Sequence, residues 1–282
     1  MRFDFATLLV LLVLVCGIIW AIDAALWAPR RRRDAAERAD AERGDAERDR
    51  AAGSDEYDVE MPKIVELARS FFPVFLVVLL LRSFLVEPFR IPSGSMVPTL
   101  LIGDFILVNK FTYGIRLPIT DHKIIEIGTP QRGDIVVFRY PEDPAVPYIK
   151  RVVGLPGDRI NYEKKRVHIN GKPVPLDQVP SLYSGRGSQS RFTGFIHQRE
   201  TLGEKEHSIL LNPRRARAFP IEYKVPEDHY FVLGDNRDES ADSRVWGFVP
   251  DQNLIGKAFK IWMHFDWGHG GPQWERLGSD IE

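Results

Sequence analysis

Ser95 lies in the run Ile91-Pro92-Ser93-Gly94-Ser95-Met96-Val97-Pro98-Thr99-Leu100, where glycine and proline bound a tight turn around a hydroxyl. Serines in such settings are ordinarily turn residues, and chemistry needs a base beside one of them. Lys150, in Tyr148-Ile149-Lys150-Arg151-Val152-Val153, stands in an apolar stretch with strand character. On a strand Tyr148, Lys150 and Val152 share one face, so the amine either points to solvent or is drawn out of water. Desolvation favours the neutral amine. Reaching neutral pH takes a fall of about three units from ~10.4, on the order of 4 kcal/mol. A fold bears that cost where the free amine has a use, here taking the Ser95 proton and returning it to a leaving amine.

A third cluster, Gly234-Asp235-Asn236-Arg237-Asp238-Glu239-Ser240-Ala241-Asp242-Ser243-Arg244-Val245-Trp246-Gly247, follows an apolar strand. Its composition reads as a solvated loop. The functional alternative is a scaffold in which Ser240 orients an amine while Asp242 and Arg244 pair to hold the loop.

Other chemistries have less to stand on. None of His122, His168, His197, His207, His229, His264 and His269 belongs to an HExxH motif, and no G-x-S-x-G elbow surrounds a serine. His264, Asp266 and His269 are ligand-type residues at a spacing that fits no standard zinc motif, so they read as structural or surface groups. There is no P-loop or dinucleotide fingerprint. No metal and no cofactor is expected.

The elements that must position these groups begin with membrane segments. Phe5 to Ile22 carries no charge and would span about 27 Å as a helix, with Trp20 and Trp27 as interfacial anchors. It reads as a retained anchor, since almost no basic region precedes it and no Ala-x-Ala site follows. Cys16, the single cysteine, lies inside it behind Val15 and reads as a membrane-buried thiol, so no intrachain disulfide is expected. Arg30 to Arg33 then place the following stretch in the cytoplasm and the N-terminus outside. Residues 34–50 mix Ala, Arg, Asp and Glu and read as a solvated linker. A second span over about 65–86, with Arg69 and Arg82 near its ends and Pro73 near its start, returns the chain to the outer side.

Beyond residue 88 short β-patterns dominate, at 105–111, 135–140, 148–153, 159–162, 166–169, 229–233 and 258–264. Gly-Asp introduces three of them, and Asn170-Gly171 reads as a hairpin turn. The class is all-β, antiparallel sheets or a barrel-like system. Residues 176–226, rich in Pro, Ser, Gly, Arg and Glu, read as part of an insertion. A net charge of −1 gives no electrostatic case for nucleic acid as a partner.

Taken together, Ser-Gly-Ser-Met-x-Pro-Thr-Leu, Tyr-Ile-Lys-Arg-Val-Val-Gly-Leu-Pro-Gly-Asp and Gly-Asp-Asn-Arg-Asp-x-Ser-x-Asp-Ser-Arg resemble the bacterial type I signal peptidase family, as does Gly133-Asp134-Ile135-Val136-Val137-Phe138. The resemblance implies a membrane-bound serine endopeptidase with a Ser/Lys dyad that removes signal peptides from exported preproteins. Ser95 would be the nucleophile and Lys150 the general base. Ser93 and the Ser95 N–H would form the oxyanion hole. Ser240 would orient the lysine, with Asp242 and Arg244 as supporting salt bridge. Phe89, Ile91, Met96, Leu100, Val137, Tyr148 and Ile149 would line shallow pockets for small side chains, and apolar surface near Phe89, Ile91 and Met96 could sit in lipid. Glu239 stands where the family usually has Asn.

The implied organisation is an anchor over 1–27, a cytoplasmic loop over 28–63, and a second anchor over 64–87. A catalytic β-domain over 88–157 and 227–282 would be interrupted by a subdomain over 158–226. The implied location is the bacterial inner membrane, with N-terminus and catalytic domain on the periplasmic side. Partners would be preprotein signal peptides, the lipid bilayer and the secretion translocon. Two rival readings exist: a self-cleaving Ser/Lys repressor, which would need a DNA-binding helical domain where the N-terminal third is membrane-like, and a catalytically inactive, membrane-tethered β-domain that binds exported proteins.

Overall fold

The computed structural model describes residues 5–35, 37, 61–117, 122–215, 219–266 and 271–281. Most of the charged stretch after Arg33, and His269, lie outside them. The chain divides into two units, Met1–Arg82 and Ser83–Glu282.

The described part of the first unit is helical, built on two long apolar runs. Helix α1 (Phe5–Ile22) continues into a wider turn of π type at Asp23–Trp27. Buried Asp23 there accepts hydrogen bonds from both terminal nitrogens of Arg31, at 2.6 and 2.8 Å, a pairing the sequence did not announce. Helix α2 (Lys63–Leu80) starts behind Pro62, whose carbonyl takes the first free N–H groups, those of Val65 and Glu66. Bare Gly17 lets the Phe72 ring approach α1, and Trp20 packs on the same ring at 5.5 Å. Leu14, Ile18, Leu67 and Val74 remain exposed on the pair. Both helices are long and apolar enough to cross a membrane. The second ends in another π turn, Leu81–Leu85, one residue short of the expected span, and the chain becomes extended at Val86.

The second unit is built from antiparallel strands. In chain order they are β1 (Val86–Arg90), β2 (Asp104–Asn109), β3 (Ile135–Arg139), β4 (Pro147–Gly154), β5 (Arg159–Glu163), β6 (Arg166–Ile169), β7 (Leu176–Leu182), β8 (Ile196–Leu202), β9 (Lys205–Leu211), β10 (Phe219–Lys224), β11 (His229–Leu233) and β12 (Leu254–Asp266). The main sheet has the order β1-β2-β12-β3-β4-β11, with Val249–Pro250 beyond β11 and Gly271–Pro272 paired to β12. It does not close. Among the described residues β1 and Val249–Pro250 are its two edges, each paired on one side, so the barrel-like alternative gives way to an open sheet.

The three Gly-Asp pairs share one physical device. Gly103, Gly133 and Gly157 take positive φ of 98°, 88° and 85°, the conformation a tight turn requires. The aspartate after each caps the same turn: Asp104, Asp134 and Asp158 accept the N–H of Leu101, Gln131 and Leu155 at 2.7 to 3.0 Å. Each turn delivers the chain into β2, β3 or β5 at a fixed angle. Asn170 and Gly171 both have positive φ and close the hairpin after β6.

Between β4 and β11 the chain forms two smaller sheets. One is four-stranded, β10-β5-β6 followed by Lys172–Pro173, and the other is three-stranded, β7-β8-β9. The main core joins Ile91, Met96, Leu100, Ile106, Val108, Ile135, Val137 and Ile149 with Ala258 and Ile261. Residues from β12, near the chain's end, thus complete the packing around the serine turn.

Candidate active site

Lys150 Nζ lies 2.8 Å from Ser95 Oγ. The serine rides on the turn before β2 and the lysine on β4, a central strand paired with β3 and β11. Side chains on β4 alternate faces, so Lys150 and Arg151 diverge although both are buried. Lys150 is 4% exposed, donates to the Ile149 carbonyl at 2.8 Å, and sits 5.4 Å from the Tyr148 ring centre. Burial pulls its amine down to about 8, against the opposing pull of the Asp242 and Asp235 charges. The neutral form is therefore within easy reach, as a proton acceptor requires.

Ser93 Oγ is 3.5 Å from Ser95 Oγ, and Ser93 is exposed where Ser95 is buried. Among the described residues no backbone carbonyl takes the Ser95 N–H. A backbone N–H and a second hydroxyl thus stand beside the Ser95 hydroxyl as donors of the kind that can stabilise an anionic oxygen.

The third cluster wraps this turn rather than standing in solvent. Asn236 donates from its backbone N–H to the Ser95 carbonyl and from its side chain to the Gly94 carbonyl, both at 3.0 Å. Asp235, fully buried, takes a two-pronged bond from Arg151 at 2.9 and 2.9 Å and the Thr99 hydroxyl at 2.6 Å. Burial pushes the Asp235 carboxyl up, but the Arg151 guanidinium more than offsets this and the group titrates below its usual range. Arg151 also donates to the Gly133 carbonyl at 2.8 Å, tying in the turn before β3.

Asp242 and Arg244 pair through two bonds of 2.8 Å, both residues buried. Burial again raises the Asp242 carboxyl and Arg244 more than reverses it. Asp242 also takes the Gly234 N–H at 3.1 Å, and the Arg244 guanidinium lies 4.6 Å over the Tyr162 ring. Ser240 is buried beside Asp242, close enough to favour that carboxylate's charge. Its hydroxyl makes no hydrogen bond to Lys150.

The seven apolar residues fall into two places. Ile91, Met96, Leu100, Val137 and Ile149 belong to the main core with Phe89 packed against it, while half-buried Tyr148 joins a second cluster around Phe138 and Val152. The apolar surface expected near Phe89, Ile91 and Met96 needs correction. Ile91 and Met96 are 2% and 0% exposed, because β12 brings Ala258 and Ile261 over them. His264 and Asp266 do not converge: His264 faces Asp104 at 2.8 Å, and Asp266 accepts two bonds from Ser188.

Sequence reasoning missed Glu200 and His207. Glu200 on β8 pairs with Arg237 inside the third cluster, and His207 Nε2 is 3.2 Å from the same carboxylate. Burial raises the Glu200 carboxyl, and Arg237 with His207 brings it down to about 2. Burial and Arg151 hold His207 below its ordinary value, against the opposing pull of Glu200 and Asp235. Nothing local in the insertion marks either residue; only Arg237 stood in a quoted motif.

The profile of the family described as signal peptidase, peptidase S26, matches residues 64–263. Signal peptidase I of Pseudomonas fluorescens is 50% identical over 275 residues, and that of Pseudomonas aeruginosa 49% identical over 275, each alignment covering 93% of both chains. The crystal structure of a signal peptidase I from Enterococcus faecalis is 31% identical and covers 47% of this chain and 98% of its own, with a TM-score of 0.30.

Proposed function

Since the chain belongs to the signal peptidase family, peptidase S26, we propose that it cleaves signal peptides from exported preproteins through a Ser95/Lys150 dyad. The observation that carries this reading is the 2.8 Å approach of Ser95 Oγ to an amine whose burial brings it down to about 8.

Neutral Lys150 accepts the Ser95 proton as Oγ attacks the carbonyl carbon of the signal peptide's last residue. The Ser93 hydroxyl and the Ser95 N–H receive the oxyanion. Lys150 then passes its proton to the leaving amine, the C–N bond breaks, and the mature protein departs. Water, losing a proton to the same amine, attacks the Ser95 ester and frees the peptide acid. Asp242 and Arg244 hold the cluster's geometry, and Ser240, buried beside Asp242, is the residue that would orient the Lys150 amine. Phe89, Tyr148 and Ile149, the least enclosed of the seven apolar residues, form the mouth of the small-residue pockets, backed by Ile91, Met96, Leu100 and Val137.

The two apolar helices anchor the chain in the bacterial inner membrane, with the arginine run after α1 in the cytoplasm and residues 88–282 on the periplasmic side. The catalytic domain is residues 88–157 with 227–282, and 158–226 is its insertion. The bilayer is its setting and the translocon its neighbour in the export route.

The test is cleavage of a purified preprotein by wild type, Ser95→Ala and Lys150→Ala. Wild type alone is expected to cut. A variant that retains activity removes the dyad, and an inactive wild type points to a binding domain instead.

A further inference from the structure

One buried ion pair has no part in the chemistry above. Glu200 on β8 and Arg237 in the charged cluster are both 0% exposed and meet fork to fork. Arg237 Nη1 donates to Glu200 Oε1 at 2.8 Å and Nη2 donates to Oε2. The pair joins the insertion to the segment that holds the nucleophile. Two further contacts join the same pieces. The Leu210 N–H on β9 donates to the Asp235 carbonyl at 2.9 Å. The Phe192 ring fills the space beside Gly94 so closely that an added Cβ would come within 2.4 Å of it.

Arg237 stands where two supports of the site meet. Its predecessor, Asn236, grips the Gly94 and Ser95 carbonyls. Its own carbonyl accepts from Arg244, the partner of Asp242, whose charge acts on Lys150. Fixing Arg237 therefore fixes both the serine turn and the ionic group behind the lysine.

We propose that Glu200 is a positioning residue for the cleavage reaction: the insertion supplies the carboxylate that orients Arg237 and, through it, the Ser95 turn and the Asp242–Arg244 pair. This rests on the Ser95/Lys150 reading. Two charges withdrawn from water gain little net stability from each other, and apolar residues of equal volume would fill the space as well. A planar two-pronged pair sets direction as well as distance. A dyad is sensitive to direction, since a misplacement of ~1 Å can cost a hundredfold in rate.

The test uses the full chain in detergent micelles with a purified preprotein. Glu200→Gln is expected to lower kcat by about ten- to a hundredfold with KM within about twofold. Glu200→Asp, which keeps the charge on a shorter arm, falls between. Glu200→Gln with Arg237→Met removes the stranded cation, so thermal stability returns while kcat stays low. Amide exchange quickens at residues 94–97 and 236–238 and is unchanged in β3. Wild-type kcat in folded Glu200→Gln overturns the proposal, as does recovery of kcat together with stability in the double variant. Should Glu200→Gln fail to fold, the double variant decides alone. Ser95→Ala run alongside separates the two readings: if it cuts as wild type does, the dyad has failed, whereas the exchange pattern reports on Glu200 without any turnover.

Discussion

The Asn236 backbone N–H donates to the Ser95 carbonyl at 3.0 Å, so Ser95 is held by a charged segment far away in the chain. The same residue's side chain donates to the Gly94 carbonyl, so two successive carbonyls of the turn are held from that segment.

Activity should follow the Lys150 proton. With the amine at about 8, the protonated form dominates at lower pH and cannot accept the Ser95 proton. The expected profile of kcat/KM rises with pH through about 8 and then levels off. A rate independent of pH between 7 and 9 would contradict it.

The same amine makes folding depend on pH. Its folded value is about 8 and its unfolded value near 10.5, so the unfolded chain binds more protons between them and stability rises with pH across that window. Below it, both states are protonated and the buried charge costs on the order of 3 kcal/mol. Lys150→Met should therefore be the more stable protein below pH 8, its advantage fading toward pH 10. Urea titrations at pH 7 and 10 measure this, and equal stabilities at pH 7 would refute it.

Removing the Asp242 charge has two effects of known sign. Asp242→Asn leaves buried Arg244 without its partner, which should cost about 3–5 kcal/mol. Lys150 also loses a charge that favours its protonated form. The acid limb of whatever activity remains should move to lower pH, and a move upward would count against this arrangement.

Gly234 admits no side chain. A Cβ there would lie 2.5 Å from the Ser95 carbonyl oxygen and 2.3 Å from Ser240 Oγ. Gly234→Ala must displace backbone at Ser95, and a hundredfold loss of kcat is expected, to order of magnitude (~10²). The accompanying destabilisation should be about 1–3 kcal/mol by calorimetry. Full activity would show the turn to be pliable.

Orientation is checked with reporters. One fused after residue 282 should be active only when it works outside the cytoplasm, and one placed at residue 40 only when it works inside. The reverse pattern would invert the assignment made from Arg30 to Arg33.

Much of this was legible because it is local. Charge-free stretches marked α1 and most of α2, β-branched runs marked the main strands, and Gly-Asp marked three turns that use the same cap. Ser95 and Lys150 could be paired only through the motifs as a set, because no spacing rule joins a turn to a strand so far along. What stayed hidden depends on contacts between distant segments. Lys150 and Arg151 are neighbouring cations, and only the fold shows that Asp235 pairs with Arg151 while Lys150 is buried against Ser95. Ile91 and Met96 looked available for lipid because β12, which covers them, comes much later. Glu200 lies in a polar insertion where a lone carboxylate ordinarily faces water.

The strand Leu254–Asp266 sits between Asp104–Asn109 and Ile135–Arg139, in the middle of the main sheet. A ribosome must therefore deliver the chain as far as Asp266 before the central ladder can assemble. Until then the newborn enzyme is disarmed, and its own leading segments emerge with no competent blade nearby on the same molecule.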